Sequence, residues 1–336
     1  MGRYVVRRLL QFIPTVLGAM FLLHYLTSVG IQFSANPVRA LFGDRQPSET
    51  LLQNLSERLG LGDACLERKG DPCFGLFVDR LENIFLSWDF GVNFRLRPVT
   101  ELIAEALPYT IRLAAIALIF EALVGITAGV LAGLRNGSFW DYLVKISTVS
   151  VIAIPIFVLG FLVREFVGVQ FGNVVKGVDW IPDLISQGIF AGVYKNDYPW
   201  ASLVIPGLVL GSVSLAAAAR LTRTSILENT RSDYVRTARA KGLGSNRVIG
   251  VHTLRNSLIP VVTFLGVDLG NLIGGALITE TIFNVPGIGR LVILAARTGE
   301  ASVVIGGATF LVLVYLLTSL LVDILYAVLD PRIRYE

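Results

Sequence analysis

The ionisable side chains of this 336-residue chain are few, and several stand where water is scarce. Glu121, Asp268 and Asp323 each lie within a long apolar run. An ionised carboxylate at membrane depth costs at least about 2.5 kcal/mol on insertion scales, so all three must face protein or water rather than lipid. Two chemistries suit them. They titrate, as in a proton-coupled carrier or channel, or they serve as buried polar anchors. As anchors, Glu121 and Asp323 pair within the bundle, while Asp268 either lines a translocation path or pairs with a neighbouring helix. Nothing suggests bond-breaking chemistry. No phosphate-cradling Gly-x-x-x-x-Gly-Lys-Ser/Thr loop occurs, and no Gly-x-Ser-x-Gly elbow. The Gly-x-Gly pieces at 242–244 and 287–289 lack a third glycine and a preceding strand. His24 and His252 sit far apart without ligand spacing, so no metal is expected. The chain reads as a non-enzyme with no cofactor of its own.

A second group of residues is polar, basic and compact. Asp233-Tyr234-Val235-Arg236-Thr237-Ala238-Arg239-Ala240-Lys241-Gly242 opens with an acidic residue suited to cap a helix and closes on a glycine suited to stop one. A short helix over 234–241 is predicted, with Asp233 as its N-cap. Ser245 is placed to cap a second helix that runs on into the next apolar run. The surrounding stretch 220–255 carries eight Arg and Lys against Glu228 and Asp233. A DNA-gripping helix-turn-helix would carry such charge, but this pair is tied at both ends to apolar runs, so no nucleic-acid partner is expected. Contact with anionic lipid contributes, and docking of another protein explains the rest.

The elements that must position these groups are spans of a bilayer. Hydrophobic residues make up 54% of the chain and charged ones only 16%, well below the roughly 25% of an average soluble domain. Six apolar runs are long enough to cross: 9–31, 113–134, 142–163, 201–219, 258–279 and 303–329. They lack the alternation of barrel strands, so the expected fold is all-α with six transmembrane helices. The first run has no convincing cleavage site and is read as retained. Lys and Arg loop bias then puts both termini and the 220–257 loop in the cytoplasm. Three parts follow: 1–31 as the N-terminus and first span, 32–107 as an exported loop subdomain, and 108–336 as the core. Cys65 and Cys73 share the exported part, where oxidation is allowed, and are expected to form a disulfide.

Within the spans, small residues mark where helices meet. Gly266, Gly270 and Gly274 recur every four residues and form one stripe, and Gly125, Gly129 and Gly133 repeat the pattern in the second span. Asp268, Asn271, Gly275 and Thr279 fall within about 80° of one another on the fifth span, about 140° from its glycines, as a candidate lining of a path. Residues 98–108 read as a separate interfacial helix capped by Thr100, and 289–298 as another.

The 233–255 segment resembles the EAA loop of binding-protein-dependent ABC importer permeases, with Arg236-Thr237-Ala238 at the Glu-Ala-Ala positions and Gly242 at the spaced glycine. Arg236 and Thr237 depart from that pattern, and His252-Thr253-Leu254-Arg255 stands where Ile-x-Leu-Pro is usual. The wording Asp-Tyr-Val-Arg-Thr-Ala-Arg-Ala-Lys-Gly is similar to the oligopeptide and dipeptide branch, B-type subunits. Further likeness lies at Asp89-Phe90-Gly91, 98–108, 134–138, 280–290 and 329–334, and is weakest over 60–81.

The resemblance implies a type I ABC importer fold in a bacterial inner or plasma membrane. Its implied partners are a second related permease, two cytoplasmic ATPase subunits holding ATP and Mg, and an extracytoplasmic peptide-binding protein. Asp233 to Gly242 would be the coupling helix seated in the ATPase. Relatives that carry nickel chelates, glutathione or other small solutes keep the same fold with different cargo.

Overall fold

The computed structural model describes residues 2–33, 37–40 and 47–329. Among them the regular structure is helical, with a single isolated antiparallel bridge between Val92 and Pro98. The helices are α1 (Gly2–Phe33), α2 (Pro37–Ala40), α3 (Glu49–Arg58), α4 (Phe74–Ser87), α5 (Val99–Phe120), α6 (Ile126–Leu134), α7 (Phe139–Ala153) and α8 (Ile156–Val163). Beyond these come α9 (Gly172–Lys176), α10 (Val204–Thr230), α11 (Asp233–Ala240), α12 (Ser245–Arg247), α13 (Arg255–Ile282), α14 (Ile288–Thr298) and α15 (Ala301–Leu329). Wider π-helical turns fuse α5 to α6 through Glu121–Gly125, α8 to α9 through Arg164–Phe171, and α12 to α13 through Val248–Leu254. Six continuous stretches are long and apolar enough to span a membrane: Leu10–Phe33, Val99–Leu134, Ile156–Lys176, Ala201–Thr230, Ser245–Ile282 and Ala301–Val322. The all-α, six-span architecture expected from hydropathy is the one observed.

Two boundaries differ from the expected ones. The run 142–163 is not one span, because Pro155 has no N–H and drives Ile154 to an extended ψ of 122°. α7 therefore ends at Ala153 and α8 starts afresh at Ile156, and the span continues through Arg164 and Glu165 to Lys176. Residues 98–108 are not a separate interfacial helix either. They form the first turns of a helix continuous from Val99 to Leu134, with Pro108 inside it and Thr100 already past its start.

Contacts divide the chain into two compact units: one up to Thr110 together with Pro286–Leu317, the other Ile111–Val285 together with the stretch from Thr318. This division does not follow the linear parts 1–31, 32–107 and 108–336.

In the first unit, Cys65 and Cys73 are bonded, with Cα atoms 5.4 Å apart. The short loop they close grips α1. The Gln32 amide donates to Asp71 O at 2.8 Å and its Oε1 accepts from Gly70 N–H at 2.7 Å. Arg80 Nη1 donates to His24 Nδ1 at 3.1 Å, so Nε2 keeps the ring proton and donates to Cys73 O at 3.1 Å. Burial brings the Arg80 guanidinium down to about 10.

In the second unit α10 is the central helix. Its span is 61% buried, against 22–33% in the other five, and it packs on α6, α7, α8 and α13. Glycine makes this possible. A Cβ on Gly129 would come within 2.5 Å of Ala219 O, one on Gly133 within 2.8 Å of Ile226 Cβ, and one on Gly125 within 3.0 Å of Ala218 Cβ. From the other side, Gly211 and Gly207 lie against Ala117 O and Ile116, at 2.6 and 2.5 Å by the same measure.

Candidate functional site

Local backbone chemistry builds the polar loop. α10 ends at Thr230, and a tight turn, with Arg231 N–H on Glu228 O and Ser232 Oγ on Asn229 O, delivers the chain into α11. Ser232, with an extended ψ of 153°, occupies the N-cap position. The expected cap, Asp233, is instead the first helical residue, and its carboxylate meets Arg236 Nη1 at 3.2 Å. The Ser232 hydroxyl is drawn back to Asn229 O and caps nothing, and the Tyr234 hydroxyl reaches the Asn229 side chain.

α11 is amphipathic on a small scale. Val235 and Ala238, three residues apart, are buried against Val248 and the partly covered Leu243. Asp233, Tyr234, Arg236, Thr237, Arg239, Ala240 and Lys241 are exposed. Gly242 ends the helix at φ +76°, a left-handed conformation that glycine adopts at little cost. Gly244 then caps α12, which winds without a break through Val248–Leu254 into α13. At the base, Ser257 Oγ donates to Ser225 O of α10 at 3.2 Å. A short, charged, outward-facing rod is thus rigidly connected to two membrane helices.

A second polar centre lies beside it, which the sequence reading did not single out. Asp141, at the start of α7, has no exposed side-chain surface. Its carboxylate accepts from Arg223 Nε at 2.6 Å and Nη2 at 3.1 Å, from Lys145 Nζ at 2.9 Å and from Gly137 N–H at 2.9 Å. Arg223 Nη2 also donates to Asn136 Oδ1 at 2.9 Å. The Arg223 fork, followed by Lys145 and Gly137, holds the Asp141 carboxyl well below the usual carboxylate range, against the opposing effect of burial. One signal was available in the sequence: an acid and a lysine at i, i+4 just ahead of an apolar run.

The four residues proposed to line a path do not share one environment. Asp268 and Thr279 are buried, whereas Asn271 and Gly275 are exposed. Asn271 Nδ2 reaches back to Asp268 Oδ1 at 3.2 Å. The carboxyl of Glu121, which is fully buried, faces that of Asp268. Among the described residues, neither Glu121 oxygen, nor Asp268 Oδ2, nor Thr279 Oγ1 has a partner at hydrogen-bonding geometry. The glycine stripe of α13 divides in the same way. A Cβ on Gly266 would come 2.9 Å from Val322 Cγ2 and Gly270 is buried, but a Cβ on Gly274 or Gly275 would meet, among the described residues and beyond the helix's own local backbone, nothing within 4 Å. The side chain of Asp323 and residues 330–336 lie outside the described part.

Six spans and a protruding helical loop that joins two of them define a multi-pass membrane component of a transport assembly. The chain belongs to the family described as binding-protein-dependent transport system inner membrane component, whose model matches residues 125–335. It is 34% identical to the dipeptide transport system permease protein DppB of Alkalihalophilus pseudofirmus, with 99% of each chain covered. It is 33% identical to DppB of Escherichia coli K12 and 31% identical to the glutathione transport system permease protein GsiC of the same strain, each over the full length of both chains.

Proposed function

We propose that this chain is a permease subunit of an ATP-driven importer of short peptides and that α11 is its coupling helix. In this reading both termini and the 220–257 loop face the cytoplasm. The exposed side of α11 sits in a cleft of an ATPase subunit, and closure of two such subunits on ATP and Mg swings α10 and α13. A second, homologous permease completes the pathway, and an extracytoplasmic peptide-binding protein delivers cargo. ATP chemistry stays on the partners, and this chain needs no cofactor. The supporting observation is α11 itself: a rod fixed by Val235 and Ala238 on its inner side and offering charged and polar groups, with the Tyr234 ring, outward. Such a rod transmits displacement as a lever, which a flexible loop could not.

Full-length likeness to proteins named for dipeptide transport supports peptide cargo over glutathione, the name carried by a less similar relative. Proteoliposomes test both points. Uptake of a labelled dipeptide should require the binding protein, second permease, ATPases and ATP together, with glutathione competing poorly. Uptake by this chain alone down a proton gradient would refute the proposal.

A further inference from the structure

We propose that Asp141 and Arg223 form a positioning clamp that makes the α6–α7 corner move as one body with the end of α10 that carries α11. The inference rests on the coupling role of α11 and adds a named device for passing that displacement beyond the two helices joined directly to the loop.

The geometry is specific. Arg223 lies on α10 seven residues before its last helical residue, Thr230, and α11 begins at Asp233. Its guanidinium makes a two-nitrogen fork onto Asp141, 82 residues away in sequence, and reaches on to Asn136 in the corner between α6 and α7. Gly137 N–H and Lys145 fill the other positions on the carboxylate, so both sides of the corner converge on one anion. On either side of Arg223, Thr222 and Ile226 are the residues against which Gly129 and Gly133 bring α6 into backbone-close contact. Steric packing resists compression of this contact but does little against sliding along the helix axis. A charge-assisted fork with fixed geometry resists sliding, because a shift of one or two ångströms breaks both bonds. Packing and fork together tie α6, α7 and α10 into a unit that a pull on α11 would move whole.

An anchor that only stabilised the fold would lower yield and melting temperature while leaving the stoichiometry of transport unchanged. The clamp predicts a different signature. In the reconstituted complex, Asp141→Asn and Arg223→Lys should still assemble with the ATPases and hydrolyse ATP within about twofold of wild type. Peptide uptake should fall at least about tenfold, so more ATP is spent per peptide moved. In the Asp141→Cys/Arg223→Cys variant, a short bis-thiosulfonate bridge should restore uptake to within about threefold, and reductant should abolish it again. Single-cysteine variants control for the action of reductant on Cys65 and Cys73. Wild-type ATP per peptide in Asp141→Asn and Arg223→Lys, or a bridged variant no better coupled than the unbridged one, would overturn the clamp. A wild-type complex in which ATP drives no uptake at all would instead overturn the coupling role of α11.

Discussion

Gly129 and Gly274 belong to two stripes that look alike in sequence, yet a methyl group added at each meets opposite surroundings. At Gly129 it would press on Ala219 O and Thr222 Cβ, both at 2.5 Å, and a helix carbonyl cannot move aside as a flexible side chain can. At Gly274 it would find open space. Overpacking of a tight contact costs about 1–3 kcal/mol. Gly129→Ala should therefore lower the melting temperature of the detergent-purified chain clearly, while Gly274→Ala leaves it unchanged; equal shifts would contradict the packing described. Asp141 adds a pH dependence. Its folded-state pKa is depressed, so the stabilisation is complete above the ordinary Asp value of about 4 and is lost as pH falls through the lower folded value. The melting-temperature gap between wild type and Asp141→Asn should accordingly be largest at neutral pH and narrow below about pH 4. At this scale the sequence was only partly legible. Periodicity marks Gly125, Gly129 and Gly133 as a stripe, but Gly207 and Gly211 show the same four-residue spacing, and only their contact with α5 reveals that both faces of the interface are carved. Nor does periodicity tell which glycines of α13 are matched within this chain and which are left open.

Elements are legible where a single strong signal governs them and ambiguous where two compete. The hydropathy of 142–163 suggests one span, and the same run contains Pro155, whose missing N–H and steric demand on Ile154 outweigh the apolar pattern. Counting apolar residues alone gives the right number of crossings and the wrong start for the third. The 98–134 region fails in the opposite direction. Pro98 and Pro108 suggest two breaks, but Pro108 lies within the first three turns of α5, where neighbouring turns sustain the helix around one missing donor. α11 is the clearest case, because its end is set by backbone conformation more than by burial. Gly242 stands at φ +76° with open space around it, so a substitution there is judged by strain and not by collision. A left-handed L-residue costs roughly 1–2 kcal/mol, and asparagine tolerates the region better than alanine or valine. Transport in the reconstituted complex should therefore fall in the order Asn, Ala, Val at position 242. A flat series would show that the turn after α11 need not be held in this conformation.

At the level of the whole molecule, the two compact units carry different kinds of constraint. The unit built around α10 is held by glycine-backed contact and by the Asp141 centre. The other includes a covalently closed loop, Cys65 to Cys73. The Cys65–Cys73 loop is short, and chain-entropy arguments assign such a closure about 2.5 kcal/mol. Its larger effect is to fix backbone groups that α1 uses, since Gln32 binds Gly70 and Asp71, and His24 binds Cys73 O. Once the loop is released, those partners fluctuate and the C-terminal end of α1 loses its socket. Hydrogen exchange measured on the reduced chain, or on Cys65→Ser/Cys73→Ser, should accordingly speed up in residues 24–33 and 61–80 and stay at the oxidised rate in α10 and α13. Acceleration spread evenly over both groups would mean that the bridge supports the fold globally, and exchange unchanged in 24–33 would mean that α1 is held by its apolar packing alone.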